Sequence, residues 1–222
     1  LNAWGALDAL AAAEALGDAA LGCAAHVTKT VTQEPRAGNP PPRIAPAPSG
    51  LLNSIGLQNP GIEAFCRDVL PAIARAVGVP VIASAGGAAP EGYAQVVRAF
   101  DRAPEVAAIE LNLSCPNVRS GCLQIGADAS EIASLLDRLR PLTAKPLLAK
   151  LSPSVSDIAP LARAALAAGA DALVLTNTVR GTAVRRSGER GSLFGGGGGG
   201  LSGPAIRAAA LHCVLMARDA VD

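Results

Sequence analysis

Val106-Ala107-Ala108-Ile109-Glu110-Leu111-Asn112-Leu113-Ser114-Cys115-Pro116-Asn117 is the stretch on which the fold turns. Residues 106–113 form a nearly continuous apolar run, as expected of a strand buried on both faces. A loop crowded with polar groups and a thiol follows directly. Residues 24–32, 80–84, 146–151 and 171–177 are strand candidates of the same kind. Lys29 and Thr30 lie near the end of the first, Ser84 ends the second, Lys150 the fourth and Asn177 the fifth. Five buried strands in succession thus deliver polar side chains at their C-terminal ends.

Helical runs separate the strands, at about residues 62–76, 90–102, 130–139, from Ser156-Asp157 to Gly169, and 204–219. Pro90 suits a first helical position and Gly169 a position just past a helix end. Parallel strands need connections of this length. Repeated βα units leave a doubly wound open sheet or a closed barrel. A barrel gathers every strand's C-terminal end around one mouth, whereas an open sheet uses mainly those beside its switch point. The expectation is therefore an α/β protein, a (β/α)8 TIM barrel, as a single partial domain over residues 1–222. It is expected to be incomplete, with the N-terminal strand and the last two strands missing, because five strands are found where a barrel has eight.

Two segments break the rhythm. Residues 34–53, rich in proline and glycine, are too long for an ordinary βα loop and are expected to form an excursion over the barrel mouth. Residues 179–201 end in six glycines, 195–200, and are expected to be a mobile loop. A formal GxGxxG match inside that run is trivial, since no strand leads directly into it.

Half of the 222 residues are hydrophobic but only five are aromatic, so Ala, Val, Leu and Ile must do the packing. A formal charge of +1 gives no basic surface for nucleic acid. No apolar run has the length of a membrane span, and residues 1–21 lack the basic start of a signal peptide. Five cysteines, Cys23, Cys66, Cys115, Cys122 and Cys213, include no CxxC pair. Free thiols in a reducing cytoplasm are expected, with no metal site.

A free cysteine is most often a small buried hydrophobe. Cys115 sits instead in a polar loop at the reactive end of the expected barrel, where a thiolate serves as nucleophile or general base. Lys150 closes an apolar strand; it either snorkels to solvent or presents a fixed cation to developing negative charge. Lys29 has the same two readings. Asparagines commonly form turns, but Asn53, Asn112 and Asn177, together with two lysines, resemble a polar cage for a flat heterocycle. His26 and His212 lie in apolar elements without an acid or serine partner and read as structural.

These residues also carry a family resemblance. Lys29-Thr30-Val31-Thr32-Gln33-Glu34-Pro35-Arg36, Gly38-Asn39-Pro40-Pro41-Pro42-Arg43 and Leu52-Asn53-Ser54-Ile55-Gly56-Leu57-Gln58-Asn59-Pro60-Gly61 are similar to signatures of class 1B dihydroorotate dehydrogenases. So are 112–117, Lys150-Leu151-Ser152-Pro153, Thr176-Asn177-Thr178 and Gly200-Leu201-Ser202-Gly203-Pro204-Ala205-Ile206. The motifs cover most of residues 24–207 in the expected order.

The resemblance implies FMN-dependent oxidation of dihydroorotate to orotate in pyrimidine biosynthesis. It implies Cys115 as the general base at substrate C5, with hydride passing from C6 to flavin N5. It assigns flavin contacts to Lys29, Thr30, Ser84, Asn112, Lys150, Thr176 and Gly203. Substrate contacts fall to Lys29, Asn53, Ser54, Ile55, Gly56, Leu57, Asn112, Asn177 and Thr178. It further implies a homodimer and an electron-transfer subunit carrying FAD and a [2Fe–2S] cluster, which passes electrons to NAD. The chain departs from the pattern at Ser84, where the family usually has asparagine, and in the glycines before Gly200. The N-terminal strand is absent or degraded around Ala3-Trp4-Gly5, and the last two strands would have supplied the grip on the flavin phosphate. Two other readings stand beside this one: a truncated, non-catalytic remnant or partner-binding fragment, and a related dihydropyrimidine oxidoreductase that acts on uracil-like rings on a similar barrel.

Overall fold

A computed structural model describes residues 24–113, 125–184, 191–195 and 197–222. Its strands are β1 (His26–Val27), β2 (Ile44–Ala47), β3 (Gly50–Asn53), β4 (Val81–Ala85), β5 (Val106–Asn112), β6 (Leu147–Lys150), β7 (Ala172–Val174), β8 (Val179–Gly181) and β9 (Gly199–Ser202). The helices are α1 (Ile62–Ala64), running through a π-helical stretch (Phe65–Val69) into α2 (Leu70–Val77), then α3 (Pro90–Arg102), α4 (Ala129–Leu139), α5 (Ala159–Ala167) and α6 (Arg207–Val221). The expected α/β class is observed.

β1, β4, β5, β6 and β7 form one parallel sheet in their order along the chain. The order never reverses, so this sheet has no topological switch point of the doubly wound kind. Consecutive helices pack on one another, α3 on α4, α4 on α5 and α5 on α6. Their apolar positions recur three and four residues apart, as in Ile132, Leu135, Leu136 and Leu139 of α4. Asp128 caps α4, its carboxylate accepting from the Ser130 and Glu131 N–H groups at 2.7 and 3.3 Å.

The strands do carry a polar face, contrary to the continuously apolar reading. Side chains alternate along a strand, so Ile109 and Leu111 enter the hydrophobic core while Glu110 and Asn112 turn the other way. The register sets Ser84 beside Glu110 and Asn112 beside Lys150. At β4, β5 and β6 the strand ends are thus apolar toward the core and polar toward the other face.

The first strand is much shorter than residues 24–32. The Thr28 N–H donates to the Ile82 carbonyl and the Val31 N–H to the Ser84 carbonyl, one residue more than an unbroken parallel ladder allows. The Thr28 hydroxyl accepts the Ser84 N–H at 3.0 Å, a place the main-chain carbonyl would otherwise take. This bulge ends regular pairing, and Val31 rejoins only through an isolated bridge to Ala85.

A second sheet, antiparallel in the order β2-β3-β9-β8, joins the two irregular segments. β3 of the proline-rich segment pairs with β9, Asn53 opposite Gly200. Glycine makes this approach possible, since a methyl at Gly199 would overlap the Asn53 carbonyl, and a methyl at Gly200 would overlap the Thr178 side chain. Gly200→Ala is expected to cost about 1–3 kcal/mol through overpacking. Thermal unfolding of that variant and of Gly200→Ala/Thr178→Gly checks the cause, because removing the Thr178 side chain should restore part of the loss.

Candidate functional site

The C-terminal ends of the parallel strands and the inner edge of the second sheet enclose a cleft of about 520 Å³. Lys29, Thr30, Ser84, Asn112 and Lys150 line it from the parallel sheet. Thr176, Asn177 and Thr178, which follow β7, line a further side. Asn53, Ile55, Gly56 and Leu57 close it from the proline-rich segment. Twelve of the residues singled out in the sequence therefore meet at one cleft, although they come from six separate stretches of chain.

Two described ones do not line it. Ser54 is buried behind the wall, its hydroxyl donating to the Gly198 carbonyl at 3.0 Å. The Asn39 amide donates to the same hydroxyl and to the Ser54 carbonyl, each at 3.0 Å. Gly203, at φ +92°, lies between Ser202 and Ile206, which do line the cleft. Cys115 lies outside the described residues, as do Ser114, Pro116 and Asn117 of its loop. The approach to that loop is described: the Tyr93 hydroxyl donates to the Asn112 carbonyl at 2.7 Å, and the Leu113 N–H to the Lys150 carbonyl at 3.2 Å.

The polar wall forms one connected chain. The Asn112 amide donates to the Thr30 hydroxyl at 3.0 Å, Thr30 and Ser84 share a hydrogen bond of 3.0 Å, and the Ser84 hydroxyl donates to a Glu110 carboxylate oxygen at 2.9 Å. The Lys150 ammonium stands 3.9 Å from the same oxygen. Glu110 is 3% exposed and was not among the residues singled out in the sequence. The available signal was a carboxylate two residues before Asn112 within an apolar strand, hence on the same face. Thr28, Ser202 and Ile206 also line the cleft and were likewise missed.

The remaining chemistry-bearing groups read as structural. His26 Nε2 is buried without a hydrogen-bond partner, and burial pushes its pKa below the usual histidine value. Burial, with the nearby Glu105 charge, raises the Cys66 thiol; burial raises Cys213. Neither thiol is poised as a thiolate. Among the described residues there is no group of three or more potential metal-ligating side chains, and no helix long and apolar enough to cross a membrane.

Comparisons with known proteins converge on one family. A family model described as dihydroorotate dehydrogenase matches residues 8–222. The dihydroorotate dehydrogenase B (NAD(+)) catalytic subunit of Desulforudis audaxviator is 47% identical over 204 residues, covering 90% of this chain and 65% of that protein. The subunit of the same name from Trichlorobacter lovleyi is 47% identical over 197 residues, covering 89% and 64%. This chain therefore spans just under two thirds of the length of these relatives. A solved Rhizobium etli pyruvate carboxylase superposes with a TM-score of 0.39 at 16% identity, over 49% of this chain and 11% of that one.

Proposed function

This chain belongs to the dihydroorotate dehydrogenase family, and on that premise we propose that it is the FMN-binding, catalytic part of an NAD-linked enzyme that oxidises dihydroorotate to orotate in pyrimidine biosynthesis. The observation that carries the reading is the cleft wall itself. Amide, hydroxyl and ammonium groups from three strands and from the segment after β1 converge on a 520 Å³ space.

That polar set fits a flavin. The ring presents hydrogen-bond donors and acceptors along one edge and gains negative charge on reduction, and the wall offers an amide, hydroxyl oxygens and the Lys29 and Lys150 ammonium groups. Lys29, Thr30, Ser84, Asn112, Lys150 and Thr176 would hold it, with Gly203 acting from just behind the wall. FMN, when bound, supplies the two-electron acceptor that no amino-acid side chain provides.

The chain's own residues bind and deprotonate the substrate. Asn53, Ile55, Gly56 and Leu57 line the cleft together with Asn177 and Thr178 and would grip the ring and carboxylate of dihydroorotate. Ser54 would act on the substrate by anchoring this loop, since its hydroxyl is committed to Gly198. Lys29 and Asn112 serve both ligands. Cys115 would take the proton from substrate C5. Lys150 would hold a positive charge where negative charge develops.

The five parallel strands would form part of a (β/α)8 barrel. The two irregular segments, 34–53 and 179–201, would make up the mouth structure. The NAD-linked reading carries with it a homodimer and a cytoplasmic partner subunit bearing FAD and a [2Fe–2S] cluster. The relatives are catalytic subunits by name, which supports the existence of such a partner.

Purified protein is expected to take up FMN in titration and to lose its visible flavin absorbance anaerobically on addition of dihydroorotate. Bleaching by dihydrouracil alone would favour a related dihydropyrimidine oxidoreductase. Protein that never takes up FMN would favour a non-catalytic remnant.

A further inference from the structure

Among the described residues Glu110 is the one carboxylate on the cleft wall, and the proposed chemistry leaves it without a role. A carboxylate 3% exposed is costly unless it is paired and hydrogen-bonded. Here it receives the Ser84 hydroxyl at 2.9 Å and stands 3.9 Å from the Lys150 ammonium. Its two partners lie on the neighbouring strands β4 and β6, so it bridges both sides of β5.

The carboxylate also fixes the direction of the hydrogen bonds beyond it. An ionised carboxylate only accepts, so Ser84 must spend its single proton on Glu110. Ser84 then accepts from Thr30, whose proton is spent in turn. Thr30 therefore accepts, and the amide nitrogen of Asn112 is the end that turns toward it, at 3.0 Å. With a hydroxyl or amide in place of Glu110, either direction would be allowed.

We propose that Glu110 is a positioning residue: it holds the Lys150 ammonium at the cleft wall and, through Ser84 and Thr30, dictates which edge of the Asn112 amide serves the site. The inference rests on the flavin reading for its consequence. A Lys150 held in place favours reduced over oxidised FMN, and a fixed Asn112 amide favours both alike.

The test is a double-mutant cycle on this chain with Glu110→Gln, Lys150→Met and the double variant. Anaerobic titrations give the affinity of each for FMN and for dithionite-reduced FMN. The preference for reduced FMN is expected to fall about tenfold in Glu110→Gln and to a similar level in Lys150→Met, with no further fall in the double variant. An undiminished preference in Glu110→Gln, or losses that add in the double variant, would overturn the proposal. Melting temperatures of the same four proteins without flavin form a second arm, in which the two substitutions are expected to be non-additive. Additive melting shifts overturn the proposal whether or not FMN binds. Coupled shifts without FMN uptake by the unaltered chain would instead sink the flavin reading and leave Glu110 as the residue that holds Lys150. Should Glu110→Gln not fold, Ser84→Ala carries the test. It is expected to weaken oxidised and reduced FMN by the same factor, and unchanged affinity for both would overturn the relay to Asn112.

Discussion

Replacing Cys115 by serine is expected to lower turnover of dihydroorotate by about 10²–10⁴-fold near neutral pH, the usual contribution of a positioned general base. An ordinary thiol titrates near ~8.5, so a useful fraction is thiolate at neutral pH, whereas a serine hydroxyl stays protonated. The chain delivers this loop from a fixed point. Tyr93 holds the Asn112 carbonyl and Lys150 holds the Leu113 N–H, so the last described residues before Cys115 are tied to α3 and β6. The expected signature is a serine variant whose rate climbs as pH is raised, with substrate affinity nearly intact. Cys66→Ala is the control, since burial keeps that thiol protonated and away from the proposed chemistry. Turnover and KM over a pH series decide the matter; an unchanged rate in the serine variant would remove Cys115 from the base's role.

Asn59→Ala is expected to destabilise the fold by about 2–4 kcal/mol, because it strands several buried polar groups at once. Asn59 is 8% exposed, and its amide makes four hydrogen bonds. Its oxygen accepts from the Thr32 and Gly61 N–H groups at 3.2 and 2.9 Å. Its nitrogen donates to the Thr32 hydroxyl and the Leu57 carbonyl at 2.8 and 2.7 Å. It thereby clips the cleft loop, where Gly56 and Leu57 take φ of +76° and +56°, onto the segment that follows β1. Leu57 is strained there, as a bulky residue at positive φ must be, and holds that shape only while its surroundings enforce it. Denaturant unfolding reads the stability loss, and a raised KM for dihydroorotate reads the loosened loop. Asn59→Asp should not rescue either, because a carboxylate cannot donate to the Leu57 carbonyl.

The strand ends make the candidate site legible in the sequence. Lys29, Ser84, Asn112, Lys150 and Asn177 each close an apolar run, and a polar residue in that position has few structural uses. Glu110 was not legible in the same way. It sits inside the apolar run, and only alternation together with register shows that it shares a face with Ser84 and Lys150. Nor did the motif show how Ser54 is used within the fold: its hydroxyl donates to the Gly198 carbonyl.

The second sheet was the larger surprise. Proline-rich and glycine-rich segments lack the alternation that marks a strand, because glycine has no side chain to alternate. Their pairing is decided by close approach: Gly199 and Gly200 leave room for Asn53 and Thr178.

By itself the sequence determined the α/β class, the order of the βα units and most of the residues that line the cleft. Those follow from local periodicity and from where polarity interrupts it. Only the tertiary structure decided that Glu110 pairs with Lys150 and that the two irregular segments wall the cleft together. Both depend on which strands become neighbours, and long-range pairing leaves no mark within either stretch of chain.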